Sequence, residues 1–171
     1  MQPPNPCPED IPVVEAQRLV LASVRPLPAV EVPLHDAAGR FLTDDIVAPR
    51  SAPPFDNSAM DGFAIAHPGG EGEGRFAVVG LATAGGPWRG TLAPGQAVKI
   101  MTGALIPAGA DTVVMKEVCT EDAGAVEVSE LPPKGLNVRR AGEDIRAGET
   151  ALGAGARIGP IEIAALASMG I

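Results

Sequence analysis

Glycine and proline punctuate this chain so densely that no long uninterrupted element fits between them. With 21 Gly and 18 Pro in 171 residues they approach a quarter of the sequence. Such a chain folds as short elements joined by tight turns, because Pro removes a backbone donor and Gly admits positive φ. A recurring pattern sharpens this. LAPGQAV (residues 92–98), IPAG followed by TVV (106–114) and IRAG followed by Leu152 each set an apolar residue three positions before a Gly, then another apolar run. Gly95, Gly109 and Gly148 are therefore expected at turns between extended segments. The units keep no fixed period, so a solenoid is not implied.

Two segments escape the punctuation. In IPVVEAQRLVLASV (11–24), Val13, Gln17, Val20 and Val24 recur at helical spacing, Pro12 sits in the first turn, and Pro26 and Pro28 stop continuation. PIEIAALASM (160–169) begins on Pro160 and is closed by Gly170, the asymmetry of a helix. Between them, AVEVPL (29–34) alternates and reads as a short strand, and FLTDDIVAP (41–49) as another extended piece. Residues 49–144 are expected to be mostly β-structure. GGEGEG (69–74) reads as a loop, since no strand–helix context makes it a nucleotide fingerprint and its glutamates repel a pyrophosphate. Residues 1–10 read as a disordered tail. The last helix stops one residue before Ile171, which suggests a piece of a longer protein.

The apolar fraction of 46% is enough to fill a core, and the net charge of −8 disfavours nucleic acid and anionic membranes as partners. No apolar run is long enough for a membrane span, and the N-terminus lacks the features of a signal peptide. Cys7 and Cys119 are expected as free thiols in a reducing cytoplasm. His35 and His67 are isolated, and no Cys/His cluster has zinc spacing.

Three polar clusters lie in the β-rich segment. PPFDNSAMDGF (53–63) carries Asp56 and Asp61, with Asn57 and Ser58 between them. Two carboxylates on one loop can coordinate Mg²⁺, a hard ion that takes oxygen ligands. Equally, Asp56 and Asn57 can form turns through side chain to backbone bonds. KIMTGALIP (99–107) places Thr102 and Gly103 at the end of a strand-like run. There a hydroxyl and adjacent amides can hold an oxyanion, or the stretch is an ordinary hairpin turn. Downstream, VVMKE (113–117) reads as a strand ending in a solvated Lys116–Glu117 pair. NVRRAGED (137–144) offers Arg139 and Arg140 as anion grips, or as members of a charge cluster that neutralises itself with Glu143 and Asp144.

PPFDNSAMDGFAI, KIMTGALIPAGADTVVMKE and NVRRAGEDI, in that order and spacing, closely resemble the MoeA/gephyrin family of molybdopterin molybdenumtransferases. The similarity spans roughly residues 11–171. Phe63 stands where the family commonly has Tyr, which removes a hydroxyl from that position. The resemblance implies insertion of molybdate into adenylylated molybdopterin with release of AMP, in molybdenum cofactor biosynthesis, with Mg²⁺ required. It also implies a cytoplasmic homodimer, with the upstream molybdopterin adenylyltransferase as a further partner. Asp61, Thr102 and Asp144 match positions of the active cleft. Asp61 and Asp144 are the implied metal ligands, and Arg139, Arg140, Asn57 and Ser58 the substrate contacts. The implied fold is mainly β with flanking helices (α+β). Residues 11–48 plus 145–171 would form a discontinuous elongated linker and dimerisation domain, with the β-rich active-cleft domain 49–144 inserted. The family's third domain supplies the other wall of the cleft, so the present chain is expected to be inactive alone.

Two other readings compete. One is a noncatalytic scaffold or interaction module of the same fold, disfavoured by the presence of Asp61, Thr102 and Asp144 together. The other is a lipoyl- or biotinyl-type carrier, disfavoured because neither Lys116 nor Lys134 stands in the usual modified-lysine turn.

Overall fold

A computed structural model describes residues 11–171; the expected tail at 1–10, with Cys7, lies outside the described residues. The chain falls into two units divided between Pro33 and Leu34.

The first unit contains helix α1 (Val13–Ser23). Pro12 occupies the N-cap, and Glu15 pairs with Arg18 one turn on, at 2.6 Å. None of the helix residues is buried. The strand expected at 29–34 does not form. Pro28 precedes that stretch and Pro33 lies within it, both without N–H donors, and no strand among the described residues pairs with it, so the alternating pattern stays unladdered. Leu34–Asp36 is a 3₁₀ turn instead.

The second unit is mainly β. Its strands are β1 (Ile46–Val47), β2 (Asn57–Ser58), β3 (Gly62–Ile65), β4 (Gly74–Ala82), β5 (Gln96–Ile100), β6 (Thr112–Met115), β7 (Cys119–Asp122), β8 (Ala125–Val128), β9 (Val138–Arg139) and β10 (Thr150–Leu152). Helix α2 (Pro160–Met169) closes the chain. Gly159 N–H is satisfied by Glu162 Oε2 at 2.9 Å, and Gly170 turns left-handed with φ 79°. The loop at 69–74 is shorter than expected, because Gly74 already opens β4. Gly95, Gly109 and Gly148 do take positive φ, of 78°, 87° and 90°.

Six strands form one sheet in the order β6-β3-β5-β4-β8-β7, antiparallel except for the β4–β5 pair. Strands β6 and β7 are at opposite edges, yet only the 3₁₀ turn Lys116–Val118 joins them. A flat six-stranded sheet would set its edges about 24 Å apart. Four peptide steps span at most about 14 Å. The sheet is therefore curled until its two edges approach, like a small open barrel. Phe63, Ile65, Phe76, Val114, Val126 and Val128 fill the inside. Ala64, Val98, Ile100 and Val113 point outward and are covered by Leu92, Ala104 and Trp88 from the loops. Both faces are thus dry, which explains why β3 and β6 read as unbroken apolar runs rather than alternating ones.

Outside the barrel, β1 pairs with β10, and Ala52 bridges to Ile145. Leu166 and Met169 of α2 pack with Ala48, Ile46, Ile145 and Leu152 into a small core of their own. The segments before and after the barrel therefore share one hydrophobic cluster.

Candidate functional site

The three sequence clusters meet because short ladders stitch their segments together. β2 pairs with β9 in the register Asn57↔Arg139 and Ser58↔Val138. Ser58 N–H donates to the Ala104 carbonyl and Gly103 N–H to the Ser58 carbonyl, at 3.0 and 2.8 Å. One residue pair, 57 and 58, is thereby clasped by the Thr102 loop on one side and the arginine segment on the other. Their own side chains are buried. Ser58 Oγ donates to the Met60 carbonyl at 2.6 Å, and Asn57 Nδ2 donates to the Phe55 carbonyl at 3.3 Å. These bonds shape the turn that delivers Asp61.

Asp61 is held on three sides. The N–H and the Oγ1 hydroxyl of Thr102 both donate to Asp61 Oδ1, at 2.9 and 2.8 Å. Lys116 N–H donates to the Asp61 carbonyl at 3.1 Å, and the Lys116 ammonium lies 3.5 Å from Oδ2. The donors expected to hold an oxyanion at Thr102 thus hold the protein's own carboxylate. The Thr102 amide first, then its hydroxyl and the Lys116 charge, keep the Asp61 carboxyl below the ordinary carboxylate range. It stays ionised at neutral pH.

Asp61 opens onto a cleft of about 420 Å³ at one end of the barrel, whose walls include Phe63, Lys99, Met101, Lys116 and Glu121. Lys99 donates to both Glu121 oxygens, at 2.9 and 2.8 Å, and lies 5.8 Å from the centre of the Phe63 ring. Since Lys99 is on β5 and Glu121 on β7, the pair spans the barrel mouth. Cys119 also borders this cleft as a free thiol. Burial, then Glu117 and Glu121, push it up to about 11, so it is a neutral thiol and a poor nucleophile at physiological pH.

The arginine segment forms a second, self-neutralising cluster. Arg139 grips both oxygens of Asp144, at 2.8 and 2.9 Å, and also bonds Glu143. Arg140 donates to Asp56 Oδ2 at 2.7 Å, and Ala141 N–H to Asp56 Oδ1 at 2.8 Å. Asn57 thus shapes its local turn, Asp56 instead ties its loop to the arginine segment more than 80 residues on, and both arginines are engaged by carboxylates. Asp144 is not a neighbour of Asp61 in the cleft. Among the described residues no group of three or more His, Cys, Asp or Glu side chains is arranged to hold a metal ion.

Asp56 carries a pH prediction. The Ala141 amide first, then Arg140, lower its carboxyl from the ordinary value. A carboxylate whose folded pKa is depressed contributes stability above its unfolded pKa, near 3.9, and loses it as pH falls through the folded value. The Asp56 side chain is 37% exposed, so solvent screening trims the effect. Asp56→Asn is expected to cost about 1 kcal/mol at pH 7 and progressively less as the pH falls below the unfolded pKa, measured by urea denaturation across that range. A pH-independent difference would refute the ion-pair account.

Lys116, Lys99 and Glu121 were not legible as site residues. The sequence suggested a Lys116–Glu117 surface pair, whereas Lys116 turns to Asp61. Only the β3–β6 register, Gly62↔Met115, makes them neighbours. His67 is a loop tie: Gly69 N–H donates to Nδ1 at 3.0 Å, so Nε2 carries the proton and donates to the Pro132 carbonyl at 2.8 Å.

Comparison with known proteins agrees with this fold. The family described as MoeA N-terminal region (domain I and II) matches residues 11–170. The molybdopterin molybdenumtransferase of Haemophilus influenzae is 42% identical over 139 residues, covering 81% of this chain and 34% of that protein. The Synechococcus elongatus enzyme of the same name is 40% identical over 164 residues, covering 91% and 41%. A crystal structure of the molybdopterin biosynthesis moeA protein from Pyrococcus horikoshii OT3 superposes with a TM-score of 0.86 at 33% identity, covering 94% of this chain and 44% of that one. The chain thus spans less than half the length of these relatives, and over that span it belongs to the MoeA family, as its N-terminal region of domains I and II.

Proposed function

We propose that the Asp61 cleft is this chain's share of a site that inserts molybdate into adenylylated molybdopterin and releases AMP. The observation that carries the reading is the Asp61 carboxylate, locked through Oδ1 by two Thr102 donors and leaving Oδ2 toward the cleft. A pre-oriented, ionised carboxylate suits a reaction between a phosphoanhydride and an oxyanion, where charge must be balanced without reorganisation.

The donor set at Asp61 fits a Mg²⁺ ion of the kind that keeps most of its waters. One carboxylate oxygen, completed by water and substrate phosphate, is a usual Mg²⁺ environment. Bound there, Mg²⁺ would supply positive charge against the phosphate oxygens. Asp144 fits less well, since both its oxygens are spent on Arg139. In this reading Asp144 and the two arginines act as a reserve. Substrate phosphate exchanges with Asp144 on Arg139 or with Asp56 on Arg140, and the displaced carboxylate is released. Asn57 and Ser58 shape the turn beneath Asp61 rather than touching substrate. Thr102 orients the carboxylate.

The relatives' length beyond the matched region supports a second wall from elsewhere in a whole enzyme. We accordingly place residues 11–48 with 145–171 as the discontinuous domain and 49–144 as the inserted cleft domain, with the β1–β10 pair and the shared core in favour. A homodimer, contact with the adenylyltransferase that makes the substrate, and a cytoplasmic setting belong to the same proposal. No helix among the described residues is long and apolar enough to cross a membrane. The test is molybdate-dependent AMP release with Mg²⁺, by this chain alone and by the chain joined to the C-terminal segment of a relative. Activity only in the joined protein supports the reading. Activity in the chain alone removes the need for a second wall, and none in either, with both folded, favours a scaffold.

A further inference from the structure

We propose that the Lys116 ammonium is a built-in competitor of the divalent cation at Asp61, holding that site in a low-affinity state. The inference rests on the reading of Asp61 as a cation ligand and adds a residue to which that reading gives no role.

The geometry is specific. A carboxylate has about four lone-pair directions. Thr102 takes two of them, both on Oδ1. Oδ2 is left, and the charged side chain facing it is Lys116, at 3.5 Å. That is longer than the 2.7–2.9 Å of a tight charge-assisted bond. The ammonium leans on Oδ2 without being clamped there. The Lys116 backbone stays close, because its N–H donates to the Asp61 carbonyl at 3.1 Å. The first residue of the 3₁₀ turn between β6 and β7 is thereby pinned beside the carboxylate.

The other charges around the cleft do not substitute for it. Lys99 is neutralised by both oxygens of Glu121. Glu117, next in the chain, makes no ion pair among the described residues. A divalent cation arriving at Oδ2 therefore meets the Lys116 ammonium already paired with that oxygen, within about 4 Å, where even water screens a charge pair incompletely. Side-chain burial does not enter, since the Lys116 side chain is mostly exposed.

The test is binding of Mn²⁺ to the 171-residue chain, followed by water-proton relaxation, with no substrate and no turnover. Lys116→Met is expected to bind Mn²⁺ about tenfold tighter than the parent. Lys116→Arg, which keeps the charge, is expected to stay within about twofold of it. Lys134→Met removes an ammonium that pairs with Asp111 instead, and is expected to change nothing. Asp61→Asn is expected to abolish the site in both the parent and the Lys116→Met background. An unchanged or weaker affinity in Lys116→Met, with Asp61→Asn still abolishing binding, overturns the competitor role alone. Equal tightening in Lys134→Met also overturns it, since the effect is then the general field of an acidic chain. Full binding in Asp61→Asn overturns the reading of Asp61 as a ligand, and the competitor role falls with it.

Discussion

Gly62→Ala is expected to lose about 4 kcal/mol of stability or more, enough to leave much of a marginally stable domain unfolded. Gly62 opens β3, the strand enclosed between β5 and β6. A Cβ added there would lie 1.9 Å from the Val114 carbonyl oxygen, 2.9 Å from its carbon and 3.1 Å from Lys116 N. All three are backbone atoms of the adjoining strand or the turn after it, so no side chain can swing aside. Overpacking in cores usually costs about 1–3 kcal/mol. Here relief requires prising β6 from β3, which also frees the Lys116 backbone from Asp61. Gly85→Ala is the control: nothing lies within 4 Å of its Cβ position and its φ is not positive. It is expected to stay within about 0.5 kcal/mol of the parent. Urea denaturation of both would decide. A Gly62→Ala protein as stable as the Gly85→Ala one would mean that the β3–β6 register described here is wrong.

Asp61→Ala is expected to lower turnover in the joined, active protein by about 10²–10³, the size found when a preorganised electrostatic group is removed. Thr102→Ala should cost about tenfold, because the carboxylate remains but its orientation is no longer fixed. Thr102→Ser keeps both donors and should retain most activity. The loss is expected in kcat more than in KM, with folding unchanged, since Asp61 borders the cleft, the Thr102 side chain is exposed, and neither belongs to the core. Measuring AMP release at saturating molybdate separates the two parameters. Activity untouched by Asp61→Ala would remove the residue from the chemistry, whatever its geometry.

Local chemistry was legible from sequence and long-range partnership was not. Pro12, Pro160 and Gly170 marked the helix ends, because caps act within one turn. Gly95, Gly109 and Gly148 marked turns for the same reason. The stretch 29–34 misled because alternation reports a strand's faces but not whether a partner exists. The three motifs named Asp61 and Thr102, yet nothing local says that residue 102 donates to residue 61. Nor does it say that Lys116 faces that carboxylate rather than Glu117. Those contacts depend on sheet register, as do the Lys99–Glu121 strut and the pairing of Asp56 with Arg140. The arginines were read as free to grip an anion or as self-neutralised, and only the fold decides for the second.

The paired stretch below the barrel has a mechanical consequence. Phe41↔Arg157, Ile46↔Leu152 and Ala52↔Ile145 form successive antiparallel contacts, so the chain enters and leaves the barrel side by side. Antiparallel partners sit about 5 Å apart, and this neck is the barrel's covalent tether at both ends. Tension applied through the flanking segments reaches the Phe41–Arg157 end first and peels the neck one rung at a time. The barrel ladders bear no load until Ala52 and Ile145 part. Flexing of whatever surrounds residues 53–144 is thereby absorbed in a zipper-like hinge, and the Thr102–Asp61 geometry is insulated from it.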